Sequence, residues 1–306
     1  MNAAVSATIN RTIVRLPMRA AVRTWFGITS RLLPGMARRQ AEHWFTKPPR
    51  YTGRRTHPVP ARRETVTVED RGIAVWQAGP AAAPAILLSH GWGGSGVQMG
   101  SFVAPLLARG NRVVWFDQPG HGESGLGSVG LPDFVRTIEA LAETHGPFEA
   151  AIGHSLGAAA LALALRRGLL LARVVFVAAP ASLNEHAHNF ARWIGITPRI
   201  REAMRRRVEK RYGLRFADVD RIEELGTLQL PALFVHDTAD SAVPFEHALR
   251  LSAHMPDAHL LKTHGLGHFR ILRDTTAVGA IIDFVSGSAA PLPAELPDLP
   301  QPSPIY

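Results

Sequence analysis

Fourteen histidines, 25 Asp and Glu and no cysteine bound the chemistry open to this 306-residue chain. Without a thiol, disulfides, thiolate metal sites and cysteine nucleophiles are excluded. A hydroxyl nucleophile is not. The segment Gly153-His154-Ser155-Leu156-Gly157 joins the apolar run at 148–154 to an Ala/Leu-rich stretch of helix formers. A serine hydroxyl is a poor nucleophile until a base takes its proton. It must also stand clear of a sheet to reach base and substrate together. A sharp strand-to-helix bend with Ser155 at its apex achieves this. Gly153 and Gly157 fall where side chains would crowd that bend. The helix beginning at Leu156 aims free N–H groups and its positive end at developing negative charge. Such a bend is a nucleophile elbow; the competing reading is a plain tight turn.

Other elements must hold this bend in place. Apolar runs recur at 85–90, 112–117, 173–180, 231–237 and 258–264, with helix-like segments at 97–109, 132–145, 156–167, 245–254 and 270–285. Runs without polar alternation fit strands buried on both faces. Their alternation with helices predicts an α/β fold with a mostly parallel, doubly wound sheet. Upstream, "ETVTVEDRGIAVWQAG" reads as a hairpin turning near Asp70-Arg71-Gly72, which brings the sheet to about eight strands. Ligands bind beyond the carboxyl ends of strands in such sheets, so function belongs in the loops that follow the runs.

Charge divides the chain. Residues 1–63 hold 13 Lys and Arg against the single acid Glu42, whereas the remainder holds 21 against 24 Asp and Glu. Residues 1–63 therefore read as a basic N-terminal arm and linker, and 64–285 as the main domain. Arg11, Arg15, Arg19 and Arg23 recur every four residues, on one helical face, with Ile13, Leu16, Ala20 and Trp25 broadly on others. An interfacial amphipathic helix is expected, giving peripheral membrane contact; a solvated basic helix or an organelle transit peptide are the other readings. No run of about 18 apolar residues suggests a spanning helix, and no apolar core suits a secretory signal. The expectation is a cytoplasmic protein, peripheral to a membrane. Nucleic acid is disfavoured, since the arm lacks interleaved aromatics. Residues 181–226, with ten Lys and Arg, read as a helical lid inserted over the sheet's active edge, or as ordinary crossover helices. The tail at 286–306, with six prolines, reads as extended or disordered.

The elbow, "SHGWGG" (89–94), "FDQPGHGES" (116–124), "HDTADSAVP" (236–244) and "HGLGHF" (264–269) occur in an order that resembles the α/β-hydrolase superfamily over residues 64–285. The resemblance implies an oxyanion hole from the backbone N–H groups of Trp92, which follows His90-Gly91, and of Leu156. It implies His268 as general base, with His264 as the local alternative, and Asp240 as the acid that orients it. Asp237 and Glu185 are the competing acids. Asp117 corresponds to a loop-supporting aspartate, and Gly91 to a structural position in its loop. His154 and His121 read as structural or pocket-lining.

The implied activity is a serine hydrolase acting on a small-molecule carboxylic ester or thioester, without cofactor or metal. Acyltransferases, lipases and carbon–carbon bond hydrolases share these residues. A binding protein on the same fold is the alternative of another class. The triplet Arg205-Arg206-Arg207 suggests either anionic substrates or a solvated helix face.

Overall fold

The computed structural model describes residues 3–53 and 56–287, with side chains from Met18 onward. Its contacts group residues 48–181 with 221 onward in one unit, and 1–47 with 182–220 in another. The tail from 288, and the side chains of Arg11, Ile13, Arg15 and Leu16, lie outside the described residues.

The larger unit is built on one eight-stranded sheet. Its strands are β1 (Arg62–Val68), β2 (Arg71–Ala78), β3 (Ala85–Ser89), β4 (Arg112–Phe116), β5 (Phe148–His154), β6 (Arg173–Val177), β7 (Ala232–Asp237) and β8 (Ala258–Thr263). The spatial order is β1-β2-β4-β3-β5-β6-β7-β8. The hairpin β1–β2 joins β4 antiparallel, and every pairing from β4 to β8 is parallel. The hairpin turns at Glu69-Asp70, with Glu69 at φ 55°, one to two residues before the expected position.

Helices cover both faces, which is why the strands lack polar alternation. Ile86, Leu88, Val113, Trp115, Ala150, Ile152, Val175, Val177, Leu233 and Val235 all belong to one buried cluster. It is completed by helices α3 (Gly100–Ala108) and α11 (Thr275–Val285), through Phe102, Val103, Leu106, Val278, Ile281 and Ile282. The intervening strand residues, such as Leu87, Val114 and Ala151, are buried too. Helices α4 (Leu131–His145) and α5 (Leu156–Arg166) pack on each other. Between β7 and β8 lies α9 (Glu246–Ser252), and α10 (Gly267–Arg270) is a single turn after β8. The expected helix at 270–285 begins only at Thr275. Asp274 caps it there, accepting from the N–H groups of Thr276 and Ala277.

The second unit is helical: α1 (Ala3–Leu32), α2 (Pro34–Thr46), α6 (Leu183–Ile194), α7 (Pro198–Tyr212) and α8 (Phe216–Val219). Arm and insertion share its core. Phe26 of α1 is fully buried and meets Trp44 edge-on at 5.2 Å. Phe45 of α2 packs on Phe190 of α6 and Phe216 of α8. Glu42, the arm's one acid, is buried and accepts from Arg207 Nε at 2.6 Å. Arg205 and Arg206 pair with Glu202, and Arg205 also with Glu209. The arginine triplet is thereby neutralised within its own unit.

Candidate active site

Ser155 lies between β5 and α5 with φ 52° and ψ −123°, a conformation rare outside glycine and maintained only where surroundings over-determine it. Three constraints are visible. The Ser155 N–H donates to the Val177 carbonyl of β6 at 2.9 Å. At Gly153 a Cβ would lie 2.7 Å from Ala158 Cα. At Gly157 it would lie 2.4 Å from the His90 carbonyl oxygen. Both glycines are required by space, since strand, helix and the 90s loop meet there.

His268, in the turn after β8, places Nε2 3.0 Å from Ser155 Oγ. Its Nδ1 lies 2.7 Å from Asp240 Oδ2 in the loop after β7. The structure thus brings together three side chains from three strand ends. Asp240 Oδ1 also accepts from the N–H groups of Ala242 and Val243, at 2.8 and 2.9 Å. Burial pushes the Asp240 carboxyl up. The His268 hydrogen bond and charge and these two N–H groups outweigh it and hold the group below its usual range. Asp240 is therefore an anion with its lone pairs engaged, suited to receive an N–H from imidazole.

The competing residues go elsewhere. His264 Nδ1 bonds Thr238 Oγ1 at 2.6 Å on the surface. Asp237 is fully buried and accepts from Thr263 Oγ1, Leu266 N–H and Ala239 N–H. It ties the loop bearing Asp240 to the loop bearing His268. Glu185 sits in the first turn of α6 in the helical unit.

The 90s loop crosses directly over the serine. A Cβ at Gly91 would stand 2.7 Å from Ser155 Cβ and 3.3 Å from Oγ, so only glycine lets the Gly91-Trp92 backbone pass so close. The Trp92 indole stacks on Phe134, with centroids 6.4 Å apart. The first N–H groups of α5, Leu156 among them, have no intrahelical acceptor. Asp117 fastens the loop from behind, accepting from Ser95 Oγ (2.7 Å), Gly96 N–H (2.6 Å) and Glu123 N–H (2.7 Å).

His121 and His154 take the structural roles expected of them, and His90, which the sequence reading passed over, takes a third. His90 Nε2 accepts from Gln118 N–H at 2.9 Å, and its Nδ1 donates to the Gly91 carbonyl. His121 Nε2 accepts from Gly93 N–H at 3.0 Å. His154 Nε2 donates to the His268 carbonyl at 2.9 Å. Burial drives all three down: His90 to about 4, and His121 and His154 to about 3. All are neutral at pH 7, and each pins a backbone group of the loops bearing Trp92 or His268. Their position beside "HGWGG", "PGHGES" and the elbow was the only signal. Among the described residues no group of three or more His, Asp or Glu is placed to hold a metal ion.

Residues 84–210 match a family model described as alpha/beta hydrolase fold, and residues 212–292 one described as TAP-like protein. Over 114 residues the chain is 35% identical to the Variovorax paradoxus (strain S110) protein named "Putative carbamate hydrolase RutD". That match spans 36% of this chain and 43% of the relative. Among solved structures, the Pyrococcus furiosus esterase Pf2001 superposes with a TM-score of 0.60 at 18% identity, over 78% of this chain and 98% of that one. The esterase RhEst1 from Rhodococcus sp. ECU1013 gives 0.57 at 20% identity, over 74% and 99%. At such identities the likeness is one of fold.

Proposed function

The chain belongs to the α/β-hydrolase superfamily, and on that premise we propose that it is a serine hydrolase that cleaves carboxylic esters through an acyl-enzyme on Ser155. The observation that carries this reading is the continuous contact from Ser155 Oγ to His268 Nε2 and from His268 Nδ1 to Asp240. His268 takes the hydroxyl proton as Oγ attacks the acyl carbonyl. Asp240 holds the ring through Nδ1–H and stabilises the imidazolium that forms. The N–H groups of Trp92 and Leu156 receive the oxyanion, each contributing about 3 kcal/mol to the transition state. His268 then returns the proton to the leaving alkoxide. Water enters, His268 deprotonates it, and the acyl-enzyme is hydrolysed. Carbamates present the same carbonyl, so they belong in the substrate screen beside esters and thioesters.

We also propose that the N-terminal arm makes peripheral contact with a membrane. Met18, Trp25, Ile28 and Leu32 lie exposed along α1, with Leu33 and Met36 beside its end. Their spacing gathers the α1 residues into one stripe. The described helices include none long and apolar enough to cross a membrane, so an interfacial position is the one this stripe suits.

The experiment is a pair of measurements on wild type and Ser155→Ala. A fluorophosphonate probe should label wild type at Ser155 and leave the variant unmodified. Hydrolysis of 4-nitrophenyl esters should fall by about 10⁶ in kcat, because the three groups act as a unit. Substantial turnover by the variant, or absence of the adduct in wild type, refutes the role.

A further inference from the structure

Arg205, Arg206 and Arg207 are charge-paired within the helical unit and leave no guanidinium of the triplet without an acidic partner. A cleft of about 330 Å³ in the larger unit is lined by Arg50, Tyr51, Thr52, Gly93, Phe269 and Arg273, among others. Its position follows from two neighbours. Phe269 directly follows His268, and its ring lies 5.0 Å from the imidazole. Gly93 directly follows Trp92. The cleft therefore borders the proposed site on both its base side and its oxyanion side.

Residues 48–53, which read as linker, form one wall. They lie against the 90s loop so closely that a Cβ on Gly93, at φ +68°, would come 2.8 Å from Pro49 Cγ. That contact brings Arg50 to the same cleft as Arg273, which is 223 positions later. Both side chains are exposed. Among the described residues the lining contains no Asp or Glu, and neither guanidinium is in an ion pair. The neighbouring Asp274 is occupied in capping α11. Two uncompensated guanidiniums facing one cleft repel each other and attract a shared anion. Their planar forks match the paired oxygens of an oxyanion such as a carboxylate. Beside them Phe269 is 56% exposed, an apolar surface for a short carbon chain.

We infer that Arg50 and Arg273 form a subsite for a carboxylate carried by the ester substrate, so that the preferred substrates are half-esters of dicarboxylic acids. This rests on the serine-hydrolase reading for the chemistry, but not for the binding. Contacts remote from the reacting carbonyl act mainly through KM. The test compares mono-4-nitrophenyl glutarate with its methyl ester, methyl 4-nitrophenyl glutarate, on full-length protein. The two differ only in the charge. Wild type should favour the half-ester in kcat/KM. In R50Q/R273Q that ratio should fall by about tenfold, expressed in KM, a modest factor because both groups are solvent-exposed. Added NaCl should erode the wild-type ratio. A ratio unchanged in the double variant, or a wild type that favours the methyl ester, overturns the subsite. Inorganic phosphate inhibiting more strongly than glutarate would overturn the carboxylate assignment. If neither ester is turned over, the hydrolase reading falls. Calorimetry with monomethyl glutarate then decides the subsite alone: binding weakened about tenfold in R50Q/R273Q supports it, and absent or equal binding overturns it.

Discussion

His90, His121 and His154 show how buried imidazoles can build a site without taking part in its chemistry. Each is neutral, and each spends a ring nitrogen on a backbone group that fixes a loop: Gln118, Gly93 and His268 respectively. This has a consequence for pH. Their ordinary value is 6.5, and burial lowers it to about 4, 3 and 3 in the folded state. Between those limits the unfolded chain binds more protons than the folded one, so stability falls as pH falls. The loss begins below pH 6.5 and is complete only near pH 3. Asp240 and Asp237, also lowered, begin to contribute only near and below their ordinary 3.8. We expect the thermal midpoint to drop steadily from pH 6.5 to 4.5, before those carboxylates titrate. His121→Gln, which removes one titrating group, should flatten that slope. A midpoint constant over this range would mean that these rings gain protons without unfolding the loops. A structural role was legible for His121 and His154, but the partners and the depth of burial were not, because a histidine's burial depends on what folds over it from distant segments.

At the scale of elements, the elbow was legible because its demands are local. A strand, a tight bend and a helix each have short-range signals, and Gly153 and Gly157 mark where they crowd. The contacts sharpen that into a prediction. The obstacles to a Cβ at Gly157 are the carbonyl oxygens of His90 and Ser89, at 2.4 and 2.7 Å. Ser89 ends β3 and His90 directly follows it, so both obstacles are backbone atoms rather than side chains that could swing aside. Gly157→Ala should therefore cost about 3 kcal/mol of stability, at the upper end for an overpacked site. It should appear as a lower urea midpoint at unchanged slope. Because Leu156 is its neighbour, kcat should fall further than the folded fraction does. A midpoint within error of wild type would show that the 90s loop yields easily. By contrast, the start of α11 at Thr275 was misread because Leu272 and Ile271 are apolar and buried without being in that helix. Burial alone does not distinguish a helix from the turn before it. The segment 48–53, Pro-Pro-Arg-Tyr-Thr-Gly, has no apolar periodicity, so nothing local indicated that it would lie on Gly93.

For the whole molecule, the unexpected feature is that the basic arm and the insertion at 182–220 share one helical core. The pairing that expresses this, Glu42 with Arg207, spans 165 positions; no periodicity within either segment announces it. It alters what the arm can offer a membrane. The inner side of α1, with Phe26 and Thr29, is buried, and among the described residues of α1 the large apolar side chains exposed for insertion are Met18, Trp25, Ile28 and Leu32. Residues 1–41 contain seven arginines and no acid, so attraction to anionic headgroups acts on the unit as a whole. Arg19 and Arg23, in steps of four, do not follow the stripe, and insertion should depend on the apolar residues. Full-length protein should co-sediment with phosphatidylserine-containing vesicles and bind phosphatidylcholine vesicles far less. Ile28→Glu with Leu32→Glu should abolish the interaction while leaving Phe26 and its packing intact, as judged by unchanged circular dichroism. Binding that survives both substitutions but disappears in high salt would mean that charge alone holds the arm to the surface, and the stripe would then have no part in it.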